Sequence, residues 1–156
     1  MKSIIRYAAA FVLLFFLSVT TVNTQQQCLS FARGIVRPML SPYIHDGNYT
    51  ATFIEEGESA DLHKTFFKGE KYRLVFAAVD ALPKNVRIRL LDENNAIFFD
   101  NAEHDYVYVW DFELEATERL IVRINIPDSN ETTIRGGCMA VLFGIVPAEE
   151  TGRRRR

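Results

Sequence analysis

Residues 98–114 read FFDNAEHDYVYVWDFEL, and they concentrate the side chains that could do chemistry: five acids, one histidine and six aromatics in seventeen positions. Asp100, Glu103 and Asp105, with Asn101 and His104 between them, are the ligand types a hard cation such as calcium takes. The segment has no glycine for a tight wrap and no ordered Asp-x-Asp-x-Asp-Gly spacing, so a solvated loop accounts for it as well as a metal site does. The aromatics follow at every second position. In an extended strand Tyr106, Tyr108, Trp110, Phe112 and Leu114 share one face, while Val107, Val109, Asp111 and Glu113 share the other. Such a stripe is either sheet core or, where exposed, a stacking surface for sugars or another protein, with Tyr106, Tyr108 and Trp110 as its contacts.

Enzymatic chemistry finds little support elsewhere. The three histidines, His45, His63 and His104, lie in a turn, on a strand and in an acidic loop. No Gly-x-Ser-x-Gly elbow accompanies them. The expectation is a chain that is not an enzyme, needs no cofactor and binds a partner, either a polysaccharide or a cell-surface protein. Nucleic acid is not expected. The chain carries 18 basic and 20 acidic residues, a net of −2, and four of the basic residues form the terminal run Arg153–Arg156. An acidic body of this kind does not suit a phosphate backbone.

The N-terminus carries its own instruction. Lys2 and Arg6 precede an uncharged apolar run from Tyr7 to Leu17, which turns polar at Ser18. This is the layout of a secretory signal peptide, and the run is shorter than the ~20 apolar residues of a membrane span. A retained anchor is the alternative. Val22 and Thr24 place cleavage after Thr24, so the mature chain starts at Gln25, is exported to the periplasm or beyond, and keeps no membrane span. In an oxidising compartment the two cysteines, Cys28 and Cys138, are expected to pair. Gly136 and Gly137 would let the N-terminal arm approach the backbone there. Two sequons, at Asn48 and Asn130, matter only in a eukaryotic secretory route.

The elements that must position these residues are short strands. After an irregular or partly helical arm over 25–47, the period becomes two. Strands are expected over 48–54, 59–67, 71–79, 86–90, 96–100, 106–114, 120–126 and 137–146. The turns between them are HDGN, KGE, ALPKN and DENN. The last strand is apolar on both faces, which marks a central position. The fold expected is all-β, an antiparallel β-sandwich or jelly roll of about eight strands. Its domains are a signal peptide (1–24), the arm (25–47), the sandwich (48–147) and a disordered basic tail (148–156).

Three segments carry a family resemblance. FFKGEKYRLVF is similar to the G-x-x-Y-x-hydrophobic strand of the bacterial pre-peptidase C-terminal domain. VRIRLLDENNAIFFDN resembles that family's next hairpin, and LEATERLIVRINIP its following strand. The closing GGCMAVLFGIV is similar to that of small secreted bacterial proteins built on a single sandwich. The resemblance spans about residues 58–146 and rests on apolar positions and turns. It implies a secreted jelly-roll-like domain that accompanies exported hydrolases and binds substrates or surfaces. Where family members often carry an Asp-x-Asp-Leu stretch this chain has NVRIRL, and Glu118-Arg119 stands in place of Gly-Thr, so no role of those acids carries over.

Overall fold

The backbone alternates between two sheets whose strands were set by the period-two pattern. A computed structural model describes residues 21–128 and 135–146. The apolar run of the proposed signal peptide and the basic tail lie outside the described residues. Helix α1 (Thr21–Phe31) contains the proposed cleavage point after Thr24. It continues through one π-helical turn (Ala32–Val36) and one 3₁₀ turn (Arg37–Leu40). The strands follow as β1 (Ile44–His45), β2 (Thr50–Glu55), β3 (Ser59–Phe66), β4 (Lys71–Ala78), β5 (Arg87–Leu91), β6 (Ile97–Asp100), β7 (Val109–Glu113), β8 (Glu118–Asn125) and β9 (Gly136–Ile145). A 3₁₀ turn, Asn101–His104, joins β6 to β7. Among the described residues no helix is long and apolar enough to cross a membrane.

All pairings are antiparallel. In the first sheet β1 and β2 both flank β9, which pairs on its other side with β4, and β4 pairs with β7; the second sheet runs β3-β8-β5-β6. Inward-facing Tyr72, Leu74 and Phe76 of β4, Leu120, Val122 and Ile124 of β8, and Met139, Val141 and Phe143 of β9 fill the space between the sheets. The turns use the residues the sequence offered. Asn95 takes a left-handed backbone at φ 63° in the β5–β6 turn, where Asp92 Oδ1 accepts from Asn94 N at 2.8 Å and from Ala96 N at 2.7 Å.

The arm is more ordered than the sequence suggested, and it explains β9. Cys28, Ala32, Val36 and Leu40 are buried against Ala51, Val75, Ala140 and Leu142 on the outer face of the first sheet. Strand β9 is therefore apolar on both faces because one packs on the sandwich core and the other on the arm. The arm residues recur every four positions. An α-helix turns about 100° per residue, so a four-residue repeat drifts by about 40° at each step. The wider π turn at Ala32–Val36 takes up that drift and keeps the stripe on the sheet.

A disulfide joins Cys28 to Cys138 with Cα atoms 4.9 Å apart. The glycine expectation needs correction. A Cβ on Gly136 would meet the Phe53 ring at 2.6 Å, and one on Gly137 would meet Val79 Cγ2 at 2.4 Å, so neither faces the arm. The close approach of the arm falls at Gly144, where a Cβ would lie 2.6 Å from Tyr43 Cβ and 3.2 Å from Leu40 Cδ2.

Candidate functional site: the β7 edge and its cavity

Strand β7 begins later than its sequence pattern indicated. Asp105 and Tyr106 both take left-handed backbone, at φ 52° and 54°, an uncommon pair for residues that carry a Cβ. Tyr106 N donates to Asn101 O at 2.8 Å and Val107 N to His104 O at 3.1 Å, so the chain curls back on the 3₁₀ turn before it joins β4. Ladder pairing begins where Phe76 N donates to Tyr108 O at 2.8 Å. Strand β4 thus outruns β7, and a gap opens beside Ala78.

A cavity of about 300 Å³ fills that gap, lined by Phe76, Ala78, Leu82, Val86 and Tyr108 and roofed by Met39 from the arm. Tyr108 donates its hydroxyl to Lys84 O at 2.7 Å, which fixes the loop that forms the far wall. Met39, Val107, Tyr108 and Val109 each leave 37–40% of their surface in solvent around the mouth. Four large apolar side chains exposed together at one sheet edge differ from the scattered singles any surface shows.

Along β7 the two faces divide the work. Trp110 stacks between Phe99 at 4.1 Å and Phe112 at 4.5 Å, and Phe99 also stacks on His104 at 5.3 Å. The aromatic stripe therefore closes the side of the sandwich between β6 and β7. The proposed trio does not form a flat platform. Tyr106 sits in the left-handed turn outside the strand, Tyr108 lines the cavity, and both faces of Trp110 are covered by other rings. The lone histidine of the sequence is the outermost member of this ring ladder.

On the opposite face Arg73 grips Asp111 through two hydrogen bonds of 2.7 Å. The same guanidinium donates to Ser41 O at 2.6 Å and lies 4.5 Å from the centre of the Tyr43 ring. One side chain so ties the arm, β4 and β7 together. The Arg73 hydrogen bonds hold the Asp111 carboxyl below the ordinary carboxylate range, while burial pushes the Tyr43 phenol up.

The acids of the connecting loop are not brought together. Asp100 is buried and turned toward Arg87, whose Nε lies 3.0 Å from Oδ2, and Asp100 Oδ1 accepts from Ala102 N at 3.1 Å. The Arg87 hydrogen bonds depress its pKa against the opposing effect of burial. Glu103 and Asp105 are exposed. Among the described residues no group of three acidic, histidine or cysteine side chains is placed to hold a metal ion. The residue that sequence reasoning passed over is Asn101. It is fully buried; its Oδ1 accepts from Ile88 N at 2.7 Å and its Nδ2 donates to Val86 O at 3.0 Å. The amide thus continues the β5 ladder where β6 has ended. An asparagine directly before a turn was the available signal, but an amide that caps a strand looks the same in sequence as one in solvent.

No protein-family model and no curated protein matches the chain. Among solved structures it is similar to Aeromonas hydrophila PliG, a periplasmic lysozyme inhibitor of g-type lysozyme, at 8% identity and a TM-score of 0.49, over 67% of this chain and 88% of that one. At that level the likeness bears on neither activity nor partner. The fold rests on the observed strands, and the likeness to the pre-peptidase C-terminal domain remains a resemblance.

Proposed function

We propose that the chain is an exported, non-enzymatic module that binds a protein partner through the apolar mouth formed by Met39, Val107, Tyr108 and Val109. The observation that carries this reading is the joining of exposed apolar side chains to a cavity with fixed walls, the usual anatomy of a recognition site. A protein partner fits better than a sugar because the ring best suited to sugar stacking, Trp110, is sandwiched between Phe99 and Phe112. Export is supported by the signal-like N-terminus and by the Cys28–Cys138 bridge, which suits an oxidising compartment.

The test pans the purified chain, beginning at Gln25 and with its disulfide intact, against a displayed library of random peptides and a glycan array. Peptides should be enriched, and Met39→Asp should weaken them about tenfold, or 1.4 kcal/mol. The Met39→Asp variant should keep the wild-type melting temperature, since Met39 is a surface residue. Glycans enriched without peptides, or peptides indifferent to Met39→Asp, would overturn the reading.

A further inference from the structure

Beyond the mouth of the cavity, β7 offers an unpaired backbone. Among the described residues it pairs only with β4 and ends its sheet. Opposed residues in an antiparallel ladder alternate between hydrogen-bonded and non-hydrogen-bonded pairs. The bond from Phe76 N to Tyr108 O fixes the phase, so Tyr108, Trp110 and Phe112 turn their peptide groups toward β4. Val109, Asp111 and Glu113 turn theirs outward. Three N–H and three C=O groups therefore face solvent along about 17 Å of strand, five residues at roughly 3.4 Å each. The line starts at the cavity mouth.

Charge decides what can lie there. From Asp100 to Glu118 the chain carries seven acids and no lysine or arginine. Asp100 and Asp111 are held by Arg87 and Arg73. Glu103 and Asp105 remain exposed at the cavity end of the edge, Glu113 and Glu115 at the other. A second copy of β7, laid antiparallel on the first, would bring these acids against one another and is disfavoured. Guarding an edge with charge is a common way to prevent indiscriminate pairing. Here the guard is of one sign, so a strand of the opposite sign is admitted rather than excluded.

We propose that the free edge of β7 is a strand-addition site for an extended, basic segment of a protein partner, with one apolar side chain of that segment seated in the Met39–Tyr108 cavity. Main-chain bonds to Val109, Asp111 and Glu113 supply the pairing, and the cavity and flanking acids select the sequence, the division of labour seen wherever a peptide extends a sheet. This inference rests on the proposed function and specifies its partner and mode.

The probe is the most enriched peptide from the displayed library, synthesised plain and with alternate amides N-methylated on the edge that would face β7. The plain peptide should be basic, should slow hydrogen exchange at the Val109, Asp111 and Glu113 amides about tenfold, and should bind more weakly as salt rises. N-methylation should abolish binding. If the methylated peptide binds equally, or if acidic peptides are enriched, strand addition is overturned while the binding function stands. If the edge amides are already protected in the free chain, in a concentration-dependent way or until Arg153–Arg156 are replaced by serine, the occupant is a second copy or the chain's own tail, and the inference falls. A library that yields no peptide removes the proposed function and the inference together.

Discussion

Asn101 offers the sharpest test of the structural argument. Its amide is fully buried and makes two bonds to the β5 backbone, accepting from Ile88 N and donating to Val86 O. Asn101→Ala removes both partners and strands an N–H and a C=O at a site with no solvent access. Each unsatisfied buried group costs about 1–3 kcal/mol, so the variant should lose about 3 kcal/mol. For a domain of this size that corresponds to a fall in melting temperature of roughly 10 °C. Urea unfolding under non-oxidising, non-reducing conditions, with the disulfide intact, measures it. A loss under about 0.5 kcal/mol, the range of ordinary surface substitutions, would refute the assignment.

Asn101→Asp separates the hydrogen bonds from the packing, because the shape is kept. One carboxyl oxygen still accepts from Ile88 N, but the other now faces Val86 O, acceptor against acceptor. The protonated carboxyl can donate to Val86 O and restore the pair. The folded state therefore favours the protonated form, and the introduced group's pKa is raised above its unfolded value of about 3.9. With a raised acid pKa the folded chain holds the extra proton, so stability falls as pH rises through the interval between the two values. Asn101→Asp should be destabilised at neutral pH and should approach wild type on acidification toward about pH 4. A deficit independent of pH would mean that packing, not the amide bonds, is what the residue supplies.

Replacing both Cys28 and Cys138 by serine should cost about 2–5 kcal/mol, since the bridge closes a loop with a sequence separation of 110; unchanged urea midpoints with and without reductant would contradict this. Gly144→Ala should cost about 1–3 kcal/mol by driving the arm away from the sheet, read as a lowered melt with new proteolysis between α1 and β1. Asp100 has a depressed folded pKa through Arg87, so its contribution is present above about pH 4 and is lost as pH falls through the folded value. The stability gap between wild type and Asp100→Asn should be widest at neutral pH and close in acid, and a gap that widens in acid would reverse the assignment. Trp110→Ala should cost about 3 kcal/mol, the low end for a large aromatic because the ring keeps an exposed margin, and a melt unchanged within error would place the ring outside the core.

The period-two pattern made most strands legible, because alternate burial leaves a direct trace in sequence: Leu120, Val122 and Ile124 face in, Arg119 and Arg123 face out. Asn95 and Gly69 were equally readable, since few residues accept the left-handed backbone their turns require. The Cys28–Cys138 bridge followed from compartment and count. The arm was not legible. Its stripe of Cys28, Ala32, Val36 and Leu40 has a four-residue step that matches neither an α-helix nor a strand, and only the π turn makes it coherent. The start of β7 was misplaced for a related reason. Tyr106 continues the alternation in letters, but its left-handed backbone takes it off the face, and no β propensity signals that.

The same local geometry produces the candidate site. Had β7 begun at Tyr106, it would have paired with β4 as far as Ala78, and the space now open between Met39 and Tyr108 would be filled by main chain. Two left-handed residues shorten the strand and expose the end of its neighbour, and the arm, locked by the disulfide and by Arg73, supplies the roof. The parity of β7 then divides its roles: even-numbered Trp110 and Phe112 close the core, while odd-numbered Val109, Asp111 and Glu113 keep their peptide groups on the free edge. A change of side chain at an even position acts through stability. One at an odd position leaves the ring ladder intact and acts on whatever lies along the edge.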